Sequence, residues 1–363
     1  MLETILQTAC LLLLLALALG SLLNLSVRSH WFIRGWDFPR IQIIAISLLI
    51  AAVYFLAEAI EGWPQMTPMA WAVVGLTTFI IAWHLYRVLP YTPLWAKQTE
   101  KSPIIDSQRT LRLVISNVEM YNESYGLWIA TIQKERPDVV IALETNQRWL
   151  DEIAEWRKLY AHEVTCPQEN CYGMLMVSRF PILESEVRYL VEDDIPSIEA
   201  KIKLHSEDTV RVIAVHPRPP EPIRDMDSAP RDAELMLWGK RLSEVHTPVV
   251  LGGDLNDVAW SRTTRLFLRV SDLLDPRRGR ALLNSFHAKH WYLRFPLDHV
   301  FHSEHFTLRE LRRLPPVGSD HFPILIELQL NESKADEQES LEASSSDEEL
   351  ADDLIERESL QKA

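Results

Sequence analysis

Positive charge is scarce in this sequence, which has 37 lysines and arginines against 51 aspartates and glutamates and a net charge of −14. A protein that binds nucleic acid through its phosphates usually shows the opposite balance. However, residues 332–363 alone contain 12 acidic and 3 basic residues, a net charge of −9, which leaves −5 for the rest of the chain. That balance does not exclude a phosphate-bearing substrate, because a metal ion can bind phosphate without a basic surface.

Cysteine is also rare, with three residues in the whole chain. Cys10 lies in an apolar run, where packing accounts for it. Cys166 and Cys171 lie in the segment CPQENC. They are two reduced thiols, a local disulfide if the segment is outside the cytosol, or half of a zinc site with His162. The zinc interpretation is the weakest, because no second pair of ligands lies nearby.

Three long apolar runs occupy residues 5–25, 41–60 and 69–89. Each is close to the roughly 20 residues that a helix needs to cross a bilayer. Because only a helix satisfies its own backbone there, we predict three transmembrane helices and a membrane anchor over residues 1–90. The leading segment MLETILQ contains no lysine or arginine, which disfavours a cleaved signal peptide.

Basic residues are distributed unevenly between the loops of this anchor. The loop after the first run contains Arg28, Arg34 and Arg40, and the loop EGWPQMTPM contains no basic residue. Arg87 lies at the end of the third run, and Lys97 and Lys101 follow it. The positive-inside rule then predicts a multi-pass cell-membrane protein with its C-terminal domain in the cytoplasm. A disulfide in CPQENC would favour the opposite orientation.

The remaining chain divides into three parts. Residues 91–108 are predicted to be a linker. Residues 109–330 alternate short apolar runs, such as LRLVISN, DVVIALE and PVVLGGD, with helical patterns such as RDAELMLWGKRLSEV, which predicts an α/β domain. Residues 331–363 are acidic, rich in serine and almost free of aromatic residues, which predicts a disordered tail suited to a basic partner. A short acidic helix near residues 350–360 is the one element that this tail could form.

Polar residues stand where the apolar strands end, which is where an α/β sheet usually builds its site. Each alone could be an ordinary turn residue. Together they supply carboxylates, amides and two histidines: Asn117, Glu144, His216, Asp254, Asn256, Asp298, Asp320 and His321. Phosphate-ester hydrolysis needs such a set, because carboxylates bind Mg²⁺ or Mn²⁺, and a histidine oriented by a carboxylate acts as a base or contacts phosphate.

The same residues, in order, resemble the endonuclease/exonuclease/phosphatase superfamily. The resemblance covers residues 111–327 and rests on Ser116-Asn117, Leu143-Glu144, Ser178-Arg179, His216, Gly253-Asp254-Leu255-Asn256, Asp298 and Gly318-Ser319-Asp320-His321. It implies a four-layered α/β sandwich, with two packed mixed sheets flanked by helices, here preceded by transmembrane helices.

The resemblance also implies roles for these residues. Glu144 would be the main ligand of Mg²⁺ or Mn²⁺, with Asn117 and Asp320 beside it. Asp254 would position or activate the attacking water, helped by Asn256. His216 would contact the scissile phosphate, and Asp298 would orient the catalytic His321. From its place after His216, Arg218 is a further candidate for phosphate binding.

Three functions compete at this point. The first is a metal-dependent hydrolase of a phosphodiester or phosphomonoester, whose membrane anchor favours a lipid-linked substrate. The second is a membrane-tethered nuclease, which the lack of a basic stripe with interleaved aromatic residues disfavours. The third is a non-catalytic membrane scaffold or binding module, which the complete residue set opposes.

Overall fold

Three long helices open the chain. The computed structural model describes residues 2–62, 66–103, 106–220 and 227–361. Within these ranges three helices are long and apolar enough to cross a membrane: α1 (Leu2–Leu22), α3 (Arg40–Glu61) and α4 (Pro68–Val88). The short helix α2 (Trp31–Gly35) separates the first two of them. At about 1.5 Å per residue, each long helix matches the thickness of the hydrocarbon core of a bilayer.

The three helices pack on one another through a narrow apolar stripe that includes Leu14, Tyr54 and Ile80. Their remaining faces expose large apolar side chains, such as Leu49 and Leu56. Apolar surface of this extent is typical of helices that contact lipid. This agrees with membrane association.

The first sheet has six strands in the order β10-β11-β1-β2-β4-β3. Strands β1 and β2 are parallel, and the other pairs are antiparallel. The strands are β1 (Thr110–Asn117), β2 (Val139–Leu143), β3 (His162–Cys166), β4 (Met174–Ser178), β10 (Phe306–Arg313) and β11 (Ile324–Leu330).

The second sheet has five strands in the order β5-β6-β7-β8-β9. Strands β7 and β8 are parallel, and the other pairs are antiparallel. The strands are β5 (Ile182–Arg188), β6 (Ser197–Lys203), β7 (Thr209–Val215), β8 (Val249–Asp254) and β9 (Asp298–His302).

The two sheets pack face to face, and helices cover their outer faces. The core between the sheets joins Ile115 and Ile141 of the first sheet to Val212 and Val250 of the second. An indole cluster that includes Trp128 covers the first sheet, from α5 (Tyr125–Glu135), α6 (Gln147–Glu152) and α7 (Ala154–Arg157). Helices α8 (Ala229–Ser243) and α9 (Arg262–Ser271) cover the second sheet, and α10 (Ser345–Gln361) packs on these two helices. The predicted four-layered sandwich is confirmed.

Three strands have no counterpart among the apolar runs of the sequence, and each lies at the edge of a sheet: β3, β5 and β10. Their sequences HEVTC, ILESEVR and FTLRELRR alternate with charged residues. An edge strand has one partner and a partly solvated face, so it does not need a continuous apolar run.

The tail and the linker pack on the domain more closely than the sequence predicts. Helix α10 buries Ala351 and Leu354 against α8 and α9, so the prediction of a disordered tail is wrong for residues 345–361. Its acidic residues pair with basic residues of those helices, Arg269 with Asp347 and Lys240 with Asp352. The domain itself is therefore a basic partner of the tail.

Within the predicted linker, Thr99 is buried and its hydroxyl lies 2.9 Å from Nε2 of His302. Residues 104–105 of the linker and 362–363 of the tail lie outside the described residues.

The helix bundle contacts the domain directly. The hydroxyl of Tyr91, just after α4, donates to the carbonyl oxygen of Ala259 at 2.5 Å, and the indole of Trp260 donates to the carbonyl oxygen of Asp37 at 2.7 Å. The backbone N–H of Ser228 donates to the carbonyl oxygen of Ser29 at 2.9 Å. The loop before α3 therefore lies on the same side of the bundle as the domain.

Candidate active site

Both parallel strand pairs end at the same end of the sandwich. Asn117 ends β1 and Glu144 follows β2 in the first sheet, while His216 follows β7 and Asp254 ends β8 in the second. Because β9 and β11 run antiparallel to their neighbours, the residues that precede or begin them reach this end as well. Asp298 is paired with Asp254 in the strand register, so these residues converge from two sheets.

Two glycines make close backbone approaches at this end. Gly253 has φ of +158°, and a Cβ built there would lie 1.8 Å from the carbonyl oxygen of Val215. Gly318 has φ of +92°, and a Cβ there would lie 2.5 Å from Oδ1 of Asn122. Any other residue would therefore displace the turns that carry Asp254 and His321. Glu144 and Asn256 also have positive φ, at 64° and 52°, which is uncommon and tends to occur at functional sites.

The amide of Asn117 links the two sheets at the centre of the site. Its Nδ2 donates to Oε1 of Glu144 at 2.8 Å and to Oδ2 of Asp254 at 3.1 Å. The other oxygen of Glu144 accepts the backbone N–H of Met120 at 3.2 Å. Burial raises the pKa of Glu144 to about 7 and also raises the pKa of Asp254. Two neighbouring carboxylates, one half-buried and one buried, that share a single hydrogen-bond donor favour binding of a cation.

His321 lies between two carboxylates. Its Nδ1 lies 2.7 Å from Oδ2 of Asp298, and its Nε2 lies 3.5 Å from Oδ2 of Asp254. Burial alone would lower its pKa, but the charges of Asp298 and Asp254 outweigh burial and raise the pKa to about 10. His321 is therefore an imidazolium at neutral pH, and Asp298 fixes its orientation.

His216 differs from His321 in its protonation state. Burial lowers the pKa of His216 to about 4, so it is neutral at pH 7. Its Nε2 lies 3.9 Å from Oδ2 of Asp254, and the ring of Tyr172 lies against it, with centroids 5.2 Å apart. The buried Nδ1 has no hydrogen-bond partner among the described residues.

The other predicted residues lie around this centre. The backbone N–H of Asn256 donates to Oδ1 of Asp254 at 2.9 Å, and its side chain donates to the carbonyl oxygen of Pro217 at 3.0 Å. Asp320 faces the same cavity. Arg218 also lines the cavity, but its guanidinium pairs with Glu192 at 3.0 Å.

These side chains line one open cavity of about 450 Å³. The residues that line it are Glu144, Asn170, Cys171, Tyr172, Asp194, His216, Arg218, Pro219, Asp254, Asn256, Phe286, Asp320 and His321. Asn117 and Asp298 lie behind the lining residues and hold them by hydrogen bonds. The cavity therefore brings together seven of the nine residues that the sequence nominated, and their individual roles stay predictions.

Comparison with known families gives one match. The model of the Endonuclease/Exonuclease/phosphatase family matches residues 116–321, which is more than half of the chain. The chain belongs to this family. Members of the endonuclease/exonuclease/phosphatase family are hydrolases that act on phosphate esters, so membership supports a phosphoesterase-type hydrolase. A search of curated proteins finds no significant match.

Solved structures show the same fold. The catalytic domain of human Nocturnin with bound sulfate anion is 14% identical, with a TM-score of 0.50, and the match covers 62% of this chain and 97% of that one. An endonuclease/exonuclease/phosphatase protein from Bacteroides vulgatus is 15% identical, with a TM-score of 0.50 and coverage of 61% and 99%. These likenesses show the fold of the sandwich.

Enzymes of the endonuclease/exonuclease/phosphatase family typically need a divalent metal, and the residues of this site fit one. Glu144, Asp254 and Asp320 face one cavity, where the imidazolium of His321 is too little positive charge to balance them. The buried Oδ1 of Asp298 has no hydrogen-bond partner among the described residues. Oxygen donors with surplus negative charge are the ligands that Mg²⁺ and Mn²⁺ prefer.

The predicted ligands differ in how well they are placed for an ion. Glu144 and Asp320 present carboxylates to the cavity. The amide nitrogen of Asn117 faces the carboxylates, whereas its Oδ1 accepts the backbone N–H of Glu119 at 3.0 Å. The atoms of Asp254, Asp298 and His321 also lie close enough together for a metal, but His321 is an imidazolium there and offers no lone pair to an ion.

Sequence reasoning missed several residues at this cavity, and two of them contact predicted residues. Phe286 lines the cavity, with its ring centroid 4.9 Å from that of His321, and no motif marks it. Oε2 of Glu119 accepts the backbone N–H of Asp320 at 2.9 Å; its position two residues after Asn117 was the available signal.

Within the part of the chain that the structure describes, no histidine or cysteine other than His321 belongs to a group that could hold a metal. Buried His299 lies 2.8 Å from the carbonyl oxygen of Asp257, which agrees with a role in packing. Cys166 and Cys171 are described by the structure and are not joined by a disulfide. Among the described residues, no group of possible metal ligands includes His162.

Proposed function

We propose that this chain is a membrane-anchored, metal-dependent phosphoesterase that hydrolyses a phosphodiester or phosphomonoester by attack of water. The observation that carries the proposal is the pair of carboxylates, half-buried Glu144 and buried Asp254, joined by one amide and faced by the imidazolium of His321. The catalytic unit is residues 109–330, held at the membrane by residues 1–90.

Glu144 and Asp320 would hold Mg²⁺ or Mn²⁺, with Asn117 orienting Glu144. When bound, the ion would stabilise the negative charge that develops on the phosphoryl oxygens. Asp254 accepts a proton from the attacking water, because burial makes its carboxylate more basic than it would be in solvent. The backbone N–H of Asn256 and the amide of Asn117 hold the two oxygens of Asp254 in place.

The two histidines contact the phosphate group in different protonation states. His321 presents a charged N–H at Nε2. Such a donor stabilises the transition state most strongly where negative charge develops. His216 is neutral and presents one N–H without adding charge. Arg218, at the wall of the cavity and paired with Glu192, is a further phosphate contact of this proposal.

The test uses the full chain in detergent with bis-p-nitrophenyl phosphate, plasmid DNA and single-stranded RNA, with and without Mg²⁺ or Mn²⁺. We expect metal-dependent hydrolysis of the diester, lowered by roughly 10²–10⁴-fold in His321→Ala. His305→Ala is the matched control, because its Nδ1 contacts the hydroxyl of Ser303 away from the cavity. A folded protein that hydrolyses none of these would favour a binding module, and hydrolysis of nucleic acid alone would favour a nuclease.

A further inference from the structure

A loop with an aromatic tip forms one wall of the active site. We name residues 286–295 the aromatic loop. Its two ends are joined by backbone hydrogen bonds from Phe286 to Phe295 at 3.0 Å and from His287 to Leu293 at 3.1 Å. The tip is a single helical turn, Trp291–Leu293, in which Trp291 is 78% and Tyr292 is 53% exposed.

This tip lies beside a membrane helix. The side-chain amide of Gln42, in the first turn of α3, donates to the carbonyl oxygen of Tyr292 at 3.0 Å. At the base of the loop, Phe295 packs edge-on against Phe38, two residues before α3, with centroids 5.7 Å apart. The tip therefore lies at the level where α3 enters the hydrocarbon layer, which is the depth that tryptophan and tyrosine favour.

The other end of the aromatic loop touches the catalytic residues. The ring of Phe286 packs against that of His321 at an angle of 48°, and the backbone N–H of Ala288 donates to the carbonyl oxygen of Asp320 at 2.6 Å. The ammonium of Lys289 lies 2.6 Å from Glu119, the residue that also holds the backbone of Asp320. One short segment thus joins the wall of the cavity to the membrane level.

Single exposed apolar side chains are common on protein surfaces and need no explanation. This tip differs because three consecutive large apolar residues, Trp291, Tyr292 and Leu293, are exposed together. They adjoin a buried cluster that links the bundle to the site through Val88, Phe295 and Leu297. The nearest apolar medium for such a tip is the bilayer that surrounds α3.

We propose that the aromatic loop enters the membrane interface and that the site acts on the phosphate ester of a lipid lying in the same bilayer. The headgroup then reaches Asp254 and His321 along the wall that Phe286 forms, while the acyl chains stay in the membrane. This inference rests on the proposed function, because it names the substrate class of that site.

The position of the tip is tested without any activity measurement. The full chain with Tyr292→Cys, in a Cys10→Ala, Cys166→Ser, Cys171→Ser background that removes every native thiol, is spin-labelled and reconstituted in phosphatidylcholine–phosphatidylglycerol vesicles. Leu183→Cys is the matched control, because Leu183 on β5 is 50% exposed. We expect the label at 292 to collide with oxygen and to be shielded from a water-soluble nickel chelate. Nickel access equal to that at 183 would refute insertion, and shielding from both reagents would indicate a protein partner instead.

The substrate class is tested with two kinds of substrate. Vesicles of phosphatidylcholine, phosphatidylglycerol, phosphatidic acid and a polyprenyl diphosphate are compared with soluble bis-p-nitrophenyl phosphate. We expect vesicle lipid to be hydrolysed, and the ratio of lipid to soluble turnover to fall at least roughly tenfold when Trp291, Tyr292 and Leu293 are replaced by serine. Leu183→Ser should leave this ratio unchanged.

Two outcomes separate the failure of this inference from the failure of the proposed function. Hydrolysis of the soluble diester without hydrolysis of any vesicle lipid, or an unchanged ratio in the serine variant, would overturn the lipid substrate while leaving the phosphoesterase intact. Absence of hydrolysis of every substrate by a folded protein would overturn the proposed function, and the spin-label result would still decide the position of the loop.

Discussion

At the scale of single residues, the site depends on how burial and neighbouring charges set three protonation states. Glu144 has a pKa of about 7, His216 is neutral and His321 is charged, although all three lie at one cavity. The difference between the histidines comes from distance. His321 lies 2.7 Å from Asp298 and 3.5 Å from Asp254, whereas His216 has one carboxylate at 3.9 Å.

The pKa of Glu144 predicts that metal binding depends on pH. The ion needs the carboxylate, and protons compete for it below pH 7. We therefore expect the affinity for Mg²⁺ or Mn²⁺ to be roughly tenfold weaker at pH 6 than at pH 8, as one competing proton requires. Isothermal titration calorimetry of the full chain in detergent measures this, with Glu144→Gln as the control that removes the carboxylate. Equal affinity at both pH values in the unaltered chain would contradict the ligand role.

At the scale of elements, the sequence predicts central strands and buried helices better than edges. The runs LRLVISN and PVVLGGD become β1 and β8, because a strand buried on both faces needs an apolar side chain at nearly every position. The edge strands β3, β5 and β10 are not predicted in this way, because they lack such apolar runs. The acidic helix that the sequence allows near residues 350–360 lies within α10, but its packing on the domain is not predicted, because its few apolar residues are buried only by α8 and α9.

The packing of α10 predicts that the acidic tail stabilises the domain. Leu354 is buried in the cluster that α8 and α9 form, so Leu354→Ser should lower the free energy of unfolding by about 2 kcal/mol. Leu360→Ser is the control, because Leu360 on the same helix is 75% exposed. Thermal unfolding of the two variants in detergent provides the comparison. Equal melting temperatures would show that α10 does not pack on the domain.

At the scale of the whole molecule, the helix bundle and the domain share an interface. Three hydrogen bonds form this interface: Tyr91 with Ala259, Asp37 with Trp260 and Ser29 with Ser228. The predicted cytoplasmic location of the domain therefore applies equally to the loop before α3, which contains the arginines on which that prediction rests.

This arrangement predicts opposite accessibility for two positions in intact cells. Met66→Cys, before α4, should react with a membrane-impermeant maleimide, whereas Leu183→Cys should react only after the membrane is permeabilised. Both variants are made in the Cys166→Ser, Cys171→Ser background, and the two side chains are similarly exposed, at 48% and 50%. The reverse pattern would place the domain outside, and equal labelling of both in intact cells would contradict three membrane spans.

The sequence by itself determined the family, the α/β class and the three apolar helices. These follow from local patterns: ordered motifs such as Gly253-Asp254-Leu255-Asn256, strand runs and uninterrupted apolar segments. It also nominated the residues around the cavity, because polar residues after buried strands stand out in a single chain.

Only the tertiary structure decided which other residues join them. Phe286 reaches His321, α10 covers α8 and α9, and Tyr292 lies beside Gln42. These contacts link segments far apart in the chain, and each residue alone is ordinary. These contacts form only when the sandwich and the bundle pack, so no local sequence pattern predicts them.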